Sequence, residues 1–113
     1  MDTRSKIIDL AEAAGKAAVE ELVVVRMDCD PMVSEIALAL QKLTRPVLAL
    51  IQPRNGEYAT PEARAEIAAA LSKVKYVAIG EIAGIEAIDL RLQESVWREQ
   101  LEELVRVKSA AHQ

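Results

Sequence analysis

Five polar residues of this sequence are its candidates for ligand or metal chemistry. Asp28 and Asp30 stand one residue apart in a single polar turn, and Ser34 follows one helical turn later. Carboxylates at this spacing suit a hard cation such as Mg²⁺, which prefers oxygen ligands. Arg54 and Arg64 supply positive charge that could bind a phosphate. The set therefore predicts a ligand site, with Asp28 and Asp30 as its metal ligands.

The acidic turn also has simpler interpretations. Asp30 precedes Pro31, and an aspartate followed by proline is typical of the first residues of a helix. Cys29 has no histidine near it in the sequence, so a small, partly buried side chain is favoured over a nucleophile. A helix start at this point favours bound anions, but carboxylates about 4 Å from a phosphate charge repel it by about 1 kcal/mol in water and about 4 at an effective dielectric of 20.

The two arginines have alternatives of the same kind. Arg54 precedes Asn55-Gly56, a pair that forms either an anion-binding loop or, more commonly, a solvated turn. Arg64 could reach a phosphate, or could form an ion pair with a neighbouring acid such as Glu62 or Glu66.

Predicted strands and helices alternate along the chain and would position these residues. The apolar, β-branched runs predict strands at Leu22–Val25, Val47–Ile51, Lys75–Ile79 and, on an exposed edge, Ile85–Leu90. Apolar residues at three- and four-residue spacing predict helices at Ser5–Val19, Asp30–Lys42, Pro61–Leu71 and Gln93–Val107. This order predicts an α/β fold: one three-layer Rossmann-like domain over residues 1–113, with a small parallel sheet flanked by helices. Its ligand crevice is expected at the carboxyl ends of the first strands, around residues 27–34 and 52–58.

Bulk composition narrows the function classes. The 113 residues are 51% hydrophobic and carry a net charge of −4, which argues against nucleic-acid and anionic-membrane partners. A single cysteine favours a reducing compartment. No apolar run approaches the ~20 residues of a membrane span. The expectation is a soluble cytoplasmic protein.

Three segments resemble the cytidylyltransferase-like nucleotidyltransferases, in particular the heptose-phosphate adenylyltransferase and glycerol-phosphate cytidylyltransferase group. SKIIDLAEAAGKAA resembles the leading helix of that family, and VVVRMDCDPMVSEIALALQKLTRPVLALI its first strand, signature turn, helix and second strand. TPEARAEIAAALSKVKYVAIG is the closest segment and matches the family pattern P-E-x-R-x-E-x-x-x-A-L-x-x-V-D-x-V at Pro61, Glu62, Arg64, Glu66, Ala70, Leu71, Val74 and Val77. The resemblance covers roughly two-thirds of the chain.

The catalytic motif of that family is missing. Active members carry H-x-G-H after the first strand, whose imidazoles stabilise the nucleotide phosphates. With Asp28 aligned to the family aspartate, those histidine positions hold Pro31 and Ser34, and the glycine position holds Val33. The only histidine is His112, and the later I-S-S/T-x-x-R motif is absent. We therefore expect no catalytic residue.

The resemblance implies a nucleotidyltransferase-like domain that is catalytically degenerate and acts as a binding or assembly module, with a nucleotide or sugar-phosphate as a possible ligand. One alternative is an active Mg²⁺-dependent nucleotidyltransferase acting on a sugar- or polyol-phosphate. Another is a Mg²⁺-dependent phosphatase, because Asp28 and Asp30 have the D-x-D spacing of the haloacid-dehalogenase-like enzymes. Magnesium is the expected cofactor if any nucleotide binds. A homodimer is expected because family members commonly dimerise and Trp97 lies on an apolar helix face.

Overall fold

A computed structural model describes residues 3–29, 34–53, 57–97, 99–100 and 103 of the chain, and helices alternate with the first three strands. The helices are α1 (Leu10–Val19), α2 (Ser34–Gln41) and α3 (Pro61–Ala69), preceded by a 3-10 turn at Thr3–Lys6. The strands are β1 (Val23–Arg26), β2 (Val47–Ile51), β3 (Val74–Ile79) and β4 (Ile88–Asp89). Residues 91–97 form a further helical segment. None of the helices within these residues is long and apolar enough to cross a membrane.

The four strands form one parallel sheet in the order β3-β2-β1-β4. β1 lies in register with β2 from Val23 opposite Val47, and Val25 pairs with Ile88 of β4 on its other side. Each helix between parallel strands carries the chain back across the sheet, which is the physical reason for the alternation seen in the sequence. The predicted α/β architecture with a small parallel sheet is confirmed.

Helices cover both faces of the sheet. One face packs Val25, Met27 and Ile51 against the buried residues of α2 and α3. The opposite face packs Leu48 and Leu50 against α1. All five residues of β2 are buried, as expected for a central parallel strand.

The first predicted helix begins later than expected. Asp9 ends the preceding segment, because its carboxylate accepts a hydrogen bond from the Glu12 N–H at 2.8 Å and caps α1. Ile7, predicted to be helical, instead makes a parallel bridge to Val77 at the outer edge of β3. The start of α3 is as predicted, with Thr60 as the N-cap.

The last strand and the helix after it differ from the prediction in their bounds. β4 has two residues where six were expected, and both are exposed at the sheet edge. The following helical segment begins at residue 91, two residues early, because the Asp89 carboxylate accepts the Arg91 N–H at 3.0 Å. Most of the predicted helix beyond residue 97, and the predicted helix start at Asp30, lie outside the described residues.

Candidate functional site

The strand order reverses at β1, since β2 and β3 follow on one side of it and β4 returns to the other. In open α/β sheets, ligands bind at the carboxyl ends of the strands beside such a reversal. A cavity of about 390 Å³ lies there, lined by Asp28, Gln52, Pro53, Asp89, Arg91 and Leu92. The crevice is therefore where the sequence predicted it.

The backbone N–H groups just after β1 bind a carboxylate of the same chain. The sheet hydrogen bonds of β1 end with the Met27 N–H, which donates to Leu50 at 3.2 Å. The next two N–H groups leave the sheet: that of Asp28 donates to Oε1 of Glu94 at 2.8 Å, and that of Cys29 to Oε2 at 2.9 Å. We call these two N–H groups the anion cradle.

Glu94 is fully buried, which is unusual for an ionisable side chain and is tolerated when its oxygens are hydrogen-bonded. Its position follows from the chain after β4. The Leu90 N–H donates to the Arg26 carbonyl at 2.9 Å, and the Glu94 N–H donates to the Leu90 carbonyl at 3.0 Å. Leu90 and Trp97 pack against the hydrophobic core on either side of Glu94. The spacing 90, 94, 97 places these three residues on the core-facing side of the segment, with the carboxylate between two partly buried apolar side chains.

Cys29 completes the turn in a left-handed conformation, with φ +52°. Such φ values are uncommon for residues other than glycine. When a residue in the left-handed region follows one that is not, the N–H groups of the two residues can point at the same anion. The thiol is buried, and burial raises its pKa, with the carboxylates of Glu94 and Asp28 adding to the effect. The thiol therefore stays protonated at neutral pH, in agreement with its predicted role as a small buried side chain.

Among the described residues, Arg64 is the largest side chain that is fully buried. One of its terminal nitrogens donates to the Asp28 carbonyl at 3.2 Å, and the other to the Gln52 carbonyl at 2.6 Å and to Glu57 at 2.8 Å. Arg64 forms ion pairs, as one of the two alternatives predicted, but its partners are Glu57 and Asp28 and not Glu62 or Glu66. Glu66 contacts Arg4 instead, at 3.4 Å.

Of the five candidate residues, the structure brings Asp28 and Arg64 together. The Asp28 carboxylate is almost fully buried and lies 3.8 Å from Nη1 of Arg64. Ser34 is exposed at the start of α2, where its hydroxyl donates to Glu35 at 3.2 Å. Asp30 and Arg54 lie outside the described residues, so the predicted metal pair is described only at Asp28. Within the described part of the chain, no three His, Cys, Asp or Glu side chains could hold a metal together.

A row of polar side chains crosses the carboxyl edge of the sheet. Arg26 donates two hydrogen bonds to Glu81, at 2.7 and 2.6 Å, and Glu81 also accepts from Gln52. Arg91 links Gln52, at 2.6 Å, to Asp89. The hydrogen bonds from Arg26 lower the pKa of Glu81, and those from Arg91 lower the pKa of Asp89. Of this row, Gln52, Asp89 and Arg91 line the cavity.

A second cavity, of about 520 Å³, lies at the opposite end of β1 between α1 and residues 85–88. Alanine and valine side chains form much of its wall, together with Arg45 and Glu86. It lies at the amino ends of the strands, away from the crevice in which α/β sheets bind ligands. We therefore place the candidate site at the anion cradle.

Sequence reasoning did not single out Glu94. The signal was available: Glu94 stands four residues after Leu90 and three before Trp97. A single acid within an apolar stripe indicates a buried carboxylate that needs hydrogen-bond donors.

Comparison of the chain with models of protein families, with curated proteins and with solved structures finds no match.

Proposed function

We propose that this chain is a catalytically degenerate, nucleotidyltransferase-like domain that acts as a binding or assembly module. The observation that carries the proposal is the carboxylate of Glu94 on both N–H groups of the anion cradle. In Rossmann-like domains, N–H groups after the first strand are the donors that receive a phosphate. In this chain they are already satisfied from within.

Charge at the crevice supports the same conclusion. A phosphate that approached the cradle would meet the carboxylates of Glu94 and Asp28. Arg64, the nearest cation to Asp28 among the described contacts, is fully buried and donates to Asp28, Gln52 and Glu57. Both terminal nitrogens of Arg64 are therefore engaged in holding the turn in place. Arg91, the cation that lines the same cavity, is likewise paired, with Gln52 and with Asp89.

The phosphatase alternative finds less support. A nucleophilic aspartate must reach a phosphorus atom with a free oxygen. The Asp28 side chain is only 7% exposed and lies beside the buried guanidinium of Arg64. A cytoplasmic location remains part of the proposal, on the ground of the lone cysteine.

The first test is a thermal-shift titration of the full chain with CTP and with ATP, with and without Mg²⁺. Sodium chloride at equal ionic strength is the control. We expect no saturable shift and no release of pyrophosphate on addition of a sugar-phosphate. A Mg²⁺-dependent shift of several degrees, as a ligand well above its Kd produces, would overturn the proposal and favour the active nucleotidyltransferase.

The assembly role includes a homodimer. Trp97, the residue first proposed for the interface, packs on the core in this structure. Leu92 and Val96, one helical turn apart, are 77% and 44% exposed. An exposed apolar pair of this kind is compatible with a contact between copies. Sedimentation equilibrium of wild type and Leu92→Glu tests this: we expect a mass of two chains for wild type and of one chain for the variant. A single-chain mass for wild type at high concentration excludes the dimer.

A further inference from the structure

The anion cradle binds Glu94 in the way that a protein binds a small carboxylate. Each oxygen accepts one N–H, at 2.8 and 2.9 Å, and water is excluded because Glu94 is fully buried. Hydrogen bonds to an ionised acceptor in a dry site are stronger than those between neutral groups. The two donors belong to successive residues of one turn, which Arg64 also holds through the Asp28 carbonyl.

The segment that delivers Glu94 has a limited attachment to the rest of the domain. We call residues 90–97 the closing segment. β4, directly before it, pairs with β1 through two residues only. The outward side chains Leu92 and Val96 are exposed, while Leu90 and Trp97 are only partly buried. The closing segment is also held by the Leu90 N–H on the Arg26 carbonyl and by Arg91 on Gln52. The two hydrogen bonds of Glu94 are therefore one part of what holds this segment on the sheet.

We propose that the anion cradle is a carboxylate-binding site, filled within the chain by Glu94 and able to take a free carboxylate when Glu94 is removed or displaced. This deepens the proposed function, on which it rests, by naming the chemical class that the module recognises. A carboxylate presented by a partner, on an acidic side chain or a chain end, would bind there in place of Glu94.

The cradle favours a monoanion over a phosphate dianion. Two N–H donors match the two oxygens of one carboxylate. The Asp28 carboxylate lies next to the cradle and is itself paired with Arg64 at 3.8 Å. A second negative charge on the ligand would add to the repulsion from Asp28, and the guanidinium of Arg91 in the same cavity is already paired with Asp89 and Gln52.

The test is chemical rescue. Glu94→Ala removes the carboxylate and leaves space for a small acid, and we expect its Tm to fall by about 10 °C because two buried N–H groups lose their acceptor. Sodium acetate should raise the Tm of this variant saturably, by about 5 °C at about ten times the Kd, relative to sodium chloride at equal ionic strength. If Glu94→Ala does not fold in chloride, the refolding yield in acetate and in chloride provides the same comparison.

Two control variants make the rescue specific. Glu94→Gln keeps the side-chain volume, so the cradle stays filled and acetate should have no specific effect. Glu99→Ala is the same change as Glu94→Ala at an exposed position, and should be neither destabilised nor rescued. Equal stabilisation of all variants by acetate reports a general salt effect and overturns the proposal.

Inorganic phosphate at pH above 7.5 separates the two classes of anion. A shift in phosphate as large as that in acetate overturns the carboxylate assignment. Failure of acetate to rescue Glu94→Ala overturns the inference while leaving the proposed function intact, because the latter is tested separately, by the absence of nucleotide binding and pyrophosphate release in the wild-type chain.

Discussion

Arg64 on α3 and Asp28 after β1 are joined twice, since Nη1 of Arg64 lies 3.2 Å from the Asp28 carbonyl oxygen and 3.8 Å from its carboxylate. The same guanidinium reaches the Gln52 carbonyl after β2. One buried cation therefore ties the carboxyl ends of the two central strands to the helix that follows them. Two side chains therefore hold the turn that bears the anion cradle: Arg64 donates to its carbonyl, and Glu94 accepts from its N–H groups.

Replacement of Arg64 by methionine should be strongly destabilising. The apolar volume is kept, but Asp28, Gln52 and Glu57 lose a buried donor, and breaking a buried pair from one side costs about 3–5 kcal/mol. Urea unfolding followed by circular dichroism measures the loss. Arg45→Met, the same change at an exposed position, should cost less than about 0.5 kcal/mol. Similar losses in the two variants would show that the contacts of Arg64 contribute little.

The fold was largely accessible from the sequence. β2 and the start of α3 were placed correctly, because a continuous apolar run and a threonine-proline start are strong local signals. β4 was overextended, since its length is set by pairing with β1, which is a tertiary contact. The bridge from Ile7 to Val77 has the same origin.

The site was accessible only in part. Asp28 and Arg64 were both singled out as ligand-binding residues, because the turn after a first strand and the matching helix draw attention to them; that role stays a prediction. Their pairing was not predicted, since it joins residues 36 positions apart. Glu94 was missed because its donors are backbone N–H groups, and any sequence supplies those; only its place between Leu90 and Trp97 indicated burial.

Cys29 should be unreactive in the folded protein. Burial raises its pKa, with Glu94 and Asp28 contributing, so the reactive thiolate is scarce at pH 8. Alkylation by iodoacetamide, followed by mass spectrometry, should be at least about 100-fold slower in the native state than in urea. If the alkylation rate of the native protein, plotted against pH, had its inflection near the ordinary pKa of a thiol, this description of the turn would be contradicted.

Glu81 should make stability depend on pH in the acid range. Its pKa is lowered from an ordinary value of 4.5, chiefly by hydrogen bonds from Arg26. A group with a lowered folded pKa adds stability above its unfolded pKa and loses it as pH falls through the folded value. Thermal melts should therefore show a loss that begins below about pH 4.5.

In the variant Glu81→Gln the Tm should fall less steeply with decreasing pH than in wild type, because glutamine does not titrate. Glu86→Gln makes the same change on an exposed side chain and should leave the acid profile as in wild type. Identical profiles for Glu81→Gln and wild type would show that the Arg26–Glu81 pair does not contribute to acid sensitivity.

Two glycine-to-alanine changes should have opposite effects on the free energy of unfolding. Gly80 ends β3 at φ +125°, and a Cβ there would lie 2.7 Å from the side chain of Leu10. Gly80→Ala should lower the free energy of unfolding by about 1–3 kcal/mol, because strain and a close contact both oppose it. Gly15 lies within α1 with open space around it, so Gly15→Ala should raise that free energy by about 0.5–1 kcal/mol. Urea titrations of both variants provide the comparison, and a stabilised Gly80→Ala would contradict the backbone geometry at that position.

The contact between Glu94 and the turn after β1 also has a kinetic consequence. It joins residues 66 and 65 positions apart in the chain, whereas β1, β2 and β3 are joined by two successive helical crossovers. Contacts that close long loops bear an entropic cost early in folding, so we expect this one to form after the rate-limiting step. Stopped-flow measurements of Glu94→Gln should then show faster unfolding and an unchanged refolding rate. The closing segment would then slow unfolding. The lifetime of the folded domain would depend on the contact between that segment and the turn after β1.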